Sequence, residues 1–137
     1  MESSLLRYVV FLYFSIGLTR PCLRTEPGTT PAPSTCASCT ADQLDLSAPA
    51  NEGELVGQET IFVQGPADAN GCATASLQCI GDANNVPLME VNDGIGTNAP
   101  ENNVVTFNIV CSQAGVWQSQ QAPVMTINSA QCFVTTL

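Results

Sequence analysis

Seven cysteines, at positions 22, 36, 39, 72, 79, 111 and 132, are the residues of this chain with the most chemistry available to them. Two of them make up Cys36-Ala37-Ser38-Cys39, a spacing that serves elsewhere as a redox dithiol or as half of a four-thiolate zinc site. The redox use expects a βαβ setting and the zinc use a second pair of the same spacing. The chain has neither, so disulfide formation is the expected use. It also has no histidine, which leaves a serine or cysteine nucleophile without an imidazole base and removes every zinc site that relies on imidazole.

Carboxylates are the remaining reactive groups. Asp82, Glu90 and Asp93 on turn-rich segments could suggest calcium, but none belongs to the Asp-x-Asp-x-Asp-Gly series of an EF-hand, and solvated turn residues are the better account. Asp93-Gly94-Ile95-Gly96 reads as a turn with flexible glycines rather than an aspartic-protease signature. A two-carboxylate glycosidase has no pair marked out for it. Trp117, the only tryptophan, could stack a ligand. Because aromatic rings bury large areas, packing in the core is the stronger expectation, with ligand stacking as the functional alternative. No catalytic residue, metal or cofactor is assigned, and the chain is not expected to be an enzyme.

Three basic residues stand against twelve acidic ones, a formal net charge of −9. Nucleic acid and anionic membrane surfaces would be repelled. Arg7 precedes an apolar run from Tyr8 to Leu18, which is too short to span a bilayer at about 20 residues but suits the roughly 7 to 15 of a leader. Ser15 and Gly17 place the cleavage after Gly17, so residues 1–17 are expected to be a signal peptide and the mature protein to be secreted, with no membrane insertion. Residues 18–35 hold a Thr/Pro-rich stretch with Pro27, Pro31 and Pro33. That composition predicts an extended spacer, bare or carrying O-linked sugar.

Residues 36–137 then form a domain of a size that usually folds alone. It carries ten carboxylates and no cation, which forbids ion pairs within it and leaves burial, hydrogen bonds and cross-links to hold it together. In an oxidising compartment Cys36, Cys39, Cys72, Cys79, Cys111 and Cys132 should pair internally. Alternation in Val104–Cys111 puts Val105, Phe107, Ile109 and Cys111 on one strand face; in Cys72–Cys79 it turns Cys79 inward and Cys72 outward. The expectation is a Cys79–Cys111 bond between two sheets, with Cys72 bonded peripherally to Cys36 or Cys39, and Cys132 fastening the last strand. Cys22 is left over, as a candidate intermolecular thiol for a disulfide-linked dimer.

The elements that must position these residues are short β-rich runs: Leu44–Leu46, Leu55–Gln64, Cys72–Ile80, Val86–Val91, Val104–Cys111, Gly115–Ser119, Val124–Ile127 and Cys132–Thr136. Turn chemistry separates them, as in Gly81-Asp82-Ala83-Asn84-Asn85 and Asn92-Asp93-Gly94. No window carries a capped helical stripe. The fold expected is all-β: a small, disulfide-rich, antiparallel two-sheet sandwich, for which an immunoglobulin-like strand order is one arrangement.

Cys22-Leu23-Arg24-Thr25, the Thr/Pro spacer, Cys36-Ala37-Ser38-Cys39, Gly71-Cys72 with Cys79 seven on, then Cys111, Trp117 and Cys132 together resemble the nematode secreted six-cysteine (C6) domain proteins. The resemblance covers nearly the whole mature chain. It implies a disulfide-bonded extracellular domain of unassigned activity, with no catalytic residues to carry over. Cys111-x-x-x-Gly115-x-Trp117 also matches half of a sushi module, but the separation to Cys132 and the six-cysteine count depart from it. The function expected first is an extracellular interaction or surface-coat domain with a protein or glycan partner. A small-ligand or carbohydrate-binding module comes second, and an enzyme working through carboxylates alone comes last.

Overall fold

Strict alternation of apolar and polar residues drives the two longest runs into neighbouring strands. In the computed structural model, which describes residues 35–97 and 99–136, Val104–Cys111 and Thr74–Ile80 pair antiparallel along their length. The expected leader (1–17), the spacer up to residue 34 and Cys22 lie outside the described residues. Among those described, the strands are β1 (Leu55–Gln58), β2 (Ile61–Gln64), β3 (Thr74–Ile80), β4 (Asn85–Val91), β5 (Ile95–Gly96), β6 (Val104–Cys111), β7 (Trp117–Ser119) and β8 (Ala130–Thr136). Two single 3-10 turns, Thr35–Ala37 and Ala41–Gln43, precede them, and the described residues contain no α-helix.

The strands form two four-stranded antiparallel sheets, a first in the order β1-β8-β4-β5 and a second in the order β2-β3-β6-β7. They make the disulfide-rich sandwich that the alternation predicts. The strand order is not that of an immunoglobulin domain, whose first two strands share a sheet. Here Leu55–Gln64 is not one strand. It breaks at Glu59-Thr60, and its halves go to different sheets. The buried Thr60 marks the crossing: its N–H donates to Leu46 O at 3.1 Å and its hydroxyl to Ala130 O at 2.9 Å. Leu44–Leu46 and Val124–Ile127 also depart from expectation, forming single bridges at Asp45 and Thr126 rather than strands. The two-residue β5 has too short an alternation to be read in advance.

Inward residues of the two sheets interdigitate. Leu77, Cys79, Val105, Phe107, Ile109 and Trp117 come from the second sheet, and Met89, Val91, Ala130 and Cys132 from the first. The disulfide between Cys79 and Cys132 joins β3 to β8, and so one sheet to the other, through the middle of this core. The expected Cys79–Cys111 bond does not form. β3 and β6 are neighbours in the same sheet, and their register sets Cys79 opposite Val105, while Cys111 lies level with Ala73 just ahead of β3, whose carbonyl accepts from Cys111 N–H. About six residues of strand, roughly 20 Å, separate the two sulfurs' positions along the pair.

Cys111 bonds Cys39, and Cys72 bonds Cys36. The CxxC cysteines therefore reach two different strands, and their segment is clamped across the β3 start and the β6 end. Cys72, expected to face away from the core, is buried beneath that segment, where Gln113 Nε2 lies 3.4 Å from Cys36 Sγ and 3.6 Å from Cys72 Sγ. Thr35, expected as the last spacer residue, already belongs to this clamp: its hydroxyl donates to Gln113 O and its carbonyl accepts from Ser38 N–H.

Candidate interaction surface

An acidic chain must place its carboxylates where water or local donors can reach them, and their distribution exposes what is left. Of the ten carboxylates between Asp42 and Glu101, Glu90 alone lies within a strand, on β4 of the first sheet. Several of the rest cap turns. Asp45 Oδ1 accepts from the Ser47 hydroxyl at 2.6 Å and the Ser47 N–H at 3.1 Å; these bonds, the hydroxyl's first, hold its carboxyl below the usual aspartate range. Asp68 Oδ1 accepts from the N–H groups of Asn70 and Cys72, and Asp82 Oδ1 from Asn84 N–H at 2.7 Å. Short polar side chains tying their own backbone two residues on is ordinary turn chemistry.

The second sheet contains no acidic or basic residue in any of its strands: Ile-Phe-Val-Gln, Thr-Ala-Ser-Leu-Gln-Cys-Ile, Val-Val-Thr-Phe-Asn-Ile-Val-Cys and Trp-Gln-Ser. Its inner face is core. Its outer face is set by the register into rows, Ile61-Gln78-Thr106, Val63-Ser76-Asn108 and Thr74-Val110-Gln118, with Ile80 beside Val104 at one end. Ile61, Val63 and Ile80 are exposed large apolar residues. β-branched, hydroxyl and amide side chains alternate here across a broad uncharged layer. Beside it, Ala99, Glu101, Asn102, Val104, Thr106 and Asn108 line an open hollow of about 670 Å³. The turn walling that hollow has Asn102 and Asn103 at positive φ, which asparagine tolerates better than most residues, and closes with paired hydrogen bonds between Glu101 and Val104.

The residues singled out from the sequence lie elsewhere. Trp117 is 1% exposed. Its Nε1–H donates to Thr40 O at 2.9 Å, and its ring meets Phe62 edge-on with centroids 5.7 Å apart. Phe62 and Trp117 come from the two outermost strands of the second sheet, and the small Ala75 of β3, with Ala73 just ahead of it, leaves room for them to meet across its inner face. Stacking a ligand on this indole is therefore sterically closed. Titration with mono- and oligosaccharides is expected to leave a blue-shifted Trp117 emission unchanged, and saturable quenching by any sugar would show that the ring is reachable. Asp82, Glu90 and Asp93 sit in no group of three or more metal-binding side chains, none of which occurs among the described residues. All six cysteines from Cys36 to Cys132 are bonded.

No family model, curated protein or solved structure matches this chain. What the fold itself establishes is a small disulfide-stabilised β-sandwich with one uncharged outer layer. No helix among the described residues is long and apolar enough to cross a membrane. No single stretch of sequence announces the uncharged layer, although the absence of Asp and Glu from four particular strands is its signal. It becomes visible only when strands distant in sequence are known to lie side by side.

Proposed function

We propose that this chain is a secreted extracellular interaction or surface-coat domain, that residues 1–17 are a removable leader, and that the spacer from residue 18 to 34 tethers the domain, which Thr35 already joins. The observation that carries the reading is the uncharged outer layer of the second sheet on an otherwise acidic molecule. Water solvates carboxylates well, so a domain that keeps them out of the strands of one broad face, with Glu101 only at its margin, retains there a surface cheap to desolvate against a partner. The three disulfides agree with export into an oxidising compartment. Kinship with the nematode C6 domain proteins is proposed on the cysteine order alone. A disulfide-linked dimer through Cys22 is proposed from the odd cysteine count.

A carbohydrate-binding role is the second reading. Asn102, Thr106 and Asn108 around the open hollow offer donors and acceptors for sugar hydroxyls. Against it, Phe107, Trp117 and Phe133 are buried and the half-buried Phe62 packs edge-on against Trp117, so no described aromatic ring offers a sugar an open face.

Expression in a secreting eukaryotic cell tests both. The chain should appear in the medium with its N-terminus at Leu18, and should run as a dimer only on non-reducing gels. A photo-crosslinker at Thr106 should then capture an extracellular protein that the same group at Leu88, on the first sheet, does not. Equal capture from both positions, or retention of the protein in the cell, would overturn the reading. Binding on a glycan array abolished by Asn108→Ala would replace it with the second.

A further inference from the structure

A sheet ends in edge strands whose outward N–H and C=O groups must be covered, blunted or paired. Three of the four edges here are dealt with. On β1, Leu55 exchanges hydrogen bonds with Glu52 and Gly57 N–H donates to Asn51 Oδ1; Pro49 O would lie 1.9 Å from a Cβ at Gly57, so the covering segment passes directly over the strand and only glycine fits. On β7, Trp117 O accepts from Ile127 N–H, and Ser119 N–H donates to Met125 O. β5 is two residues long.

β2 differs. Gly65 N–H donates to Thr74 O on the β3 side, so by alternation Ile61 and Val63 also bond β3, while Thr60, Phe62 and Gln64 turn their backbone groups outward. Thr60 N–H is taken by Leu46 O. Among the described residues, no other segment is hydrogen-bonded to the Phe62 and Gln64 backbone. β2 carries neither the charge, proline nor bulge that usually protects such an edge, and Ile61 and Val63 are exposed on its outer face.

We propose that two copies of this chain join through their β2 edges, antiparallel about Val63, to make one continuous eight-stranded sheet. The strand is complementary to itself: Phe62 of each copy would exchange N–H···O bonds with Gln64 of the other, about four bonds in all, and Val63 would face Val63 at the twofold axis. Charge selects the same occupant. From Cys36 onward the chain has carboxylates and no cation, so two copies can meet closely only where carboxylates are absent, and the carboxylates flanking β2, Glu59 and Asp68, lie beyond its two ends. The inference names a partner for the uncharged sheet and rests on the interaction reading only for the choice of that sheet.

Sedimentation velocity on the mature chain carrying Cys22→Ser, which removes any covalent link, tests it. A reversible monomer–dimer equilibrium that tightens with added salt is expected, since salt screens carboxylate repulsion. Val63→Lys and Val63→Glu, each alone, should weaken dimerisation by about tenfold or more by setting like charges face to face, and an equimolar mixture of the two should restore it. Gln64→Pro removes an outward N–H and leaves the backbone bonds to β3 in place, losing only the side-chain bond from Gln64 Nε2 to Thr74 O, and should act like either charge variant. Circular dichroism identical to the parent confirms that all three fold. A parent that stays monomeric, a charge variant that dimerises as the parent does, or a mixture that stays monomeric overturns the edge pairing. Thr106 crosslinking that persists with a monomeric parent would leave the interaction reading standing alone.

Discussion

Replacing Cys79 and Cys132 together by alanine is expected to lower stability by about 4 kcal/mol. The bond closes 53 residues of chain, and in the chain-entropy account a loop of that size restricts the unfolded state by about this amount. Both sulfurs are also buried between the sheets, so their loss leaves space that the core must close. Urea unfolding under non-reducing conditions should show a lower midpoint and a steeper slope, because an unfolded chain freed of one cross-link exposes more surface. Cys79→Ala alone should be no milder, since it leaves Cys132 as an unpaired thiol. A loss below about 1 kcal/mol for the double variant would mean that this cross-sheet bond does not hold the layers together.

Trp117→Ala is expected to cost about 3 to 5 kcal/mol, the range for emptying a buried tryptophan site. The ring fills the space beside Phe62 at the covered edge of the second sheet, and its Nε1–H is the partner of Thr40 O within the clamped N-terminal segment. Trp117→Phe separates the two roles. It keeps an aromatic edge against Phe62 and should cost about 1 to 3 kcal/mol, for the lost ring area and for one of the two hydrogen bonds to Thr40 O, which keeps Gln43 N–H at 3.3 Å. Equilibrium unfolding measures both, and equal losses for the two variants would show that the hydrogen bond, not the ring, dominates.

Alternation made the inward faces of β3 and β6 legible from residues 72–80 and 104–111 alone, because one side of each is core and a one-residue slip would bury Thr106 and Asn108. The same alternation sets which way a cysteine points but not which strand lies across from it. Cys79 and Cys111 both point inward, yet they occupy distant positions of one sheet, while the true partner, Cys132, sits on β8, some fifty residues later in the chain. Leu55–Gln64 read as one strand because its apolar content is continuous. The crossing at Thr60 depends on hydrogen bonds to Leu46 and Ala130 that no local pattern announces. The candidate surface was hidden for a related reason: it is an absence of charge summed over four strands that only the folded chain brings side by side.

The disulfides also determine how the domain would respond to being pulled. Tension arriving ahead of Cys36 passes through sulfur into Cys72, runs along β3 to Cys79, and leaves through sulfur again at Cys132 in β8. That load path uses covalent bonds and a strand already near full extension. A domain wired in this way cannot be drawn out like a spring: between Cys36 and Cys132 it behaves as an inextensible link, and only the stretch of β8 beyond Cys132, paired with β1 and β4, meets the shear directly.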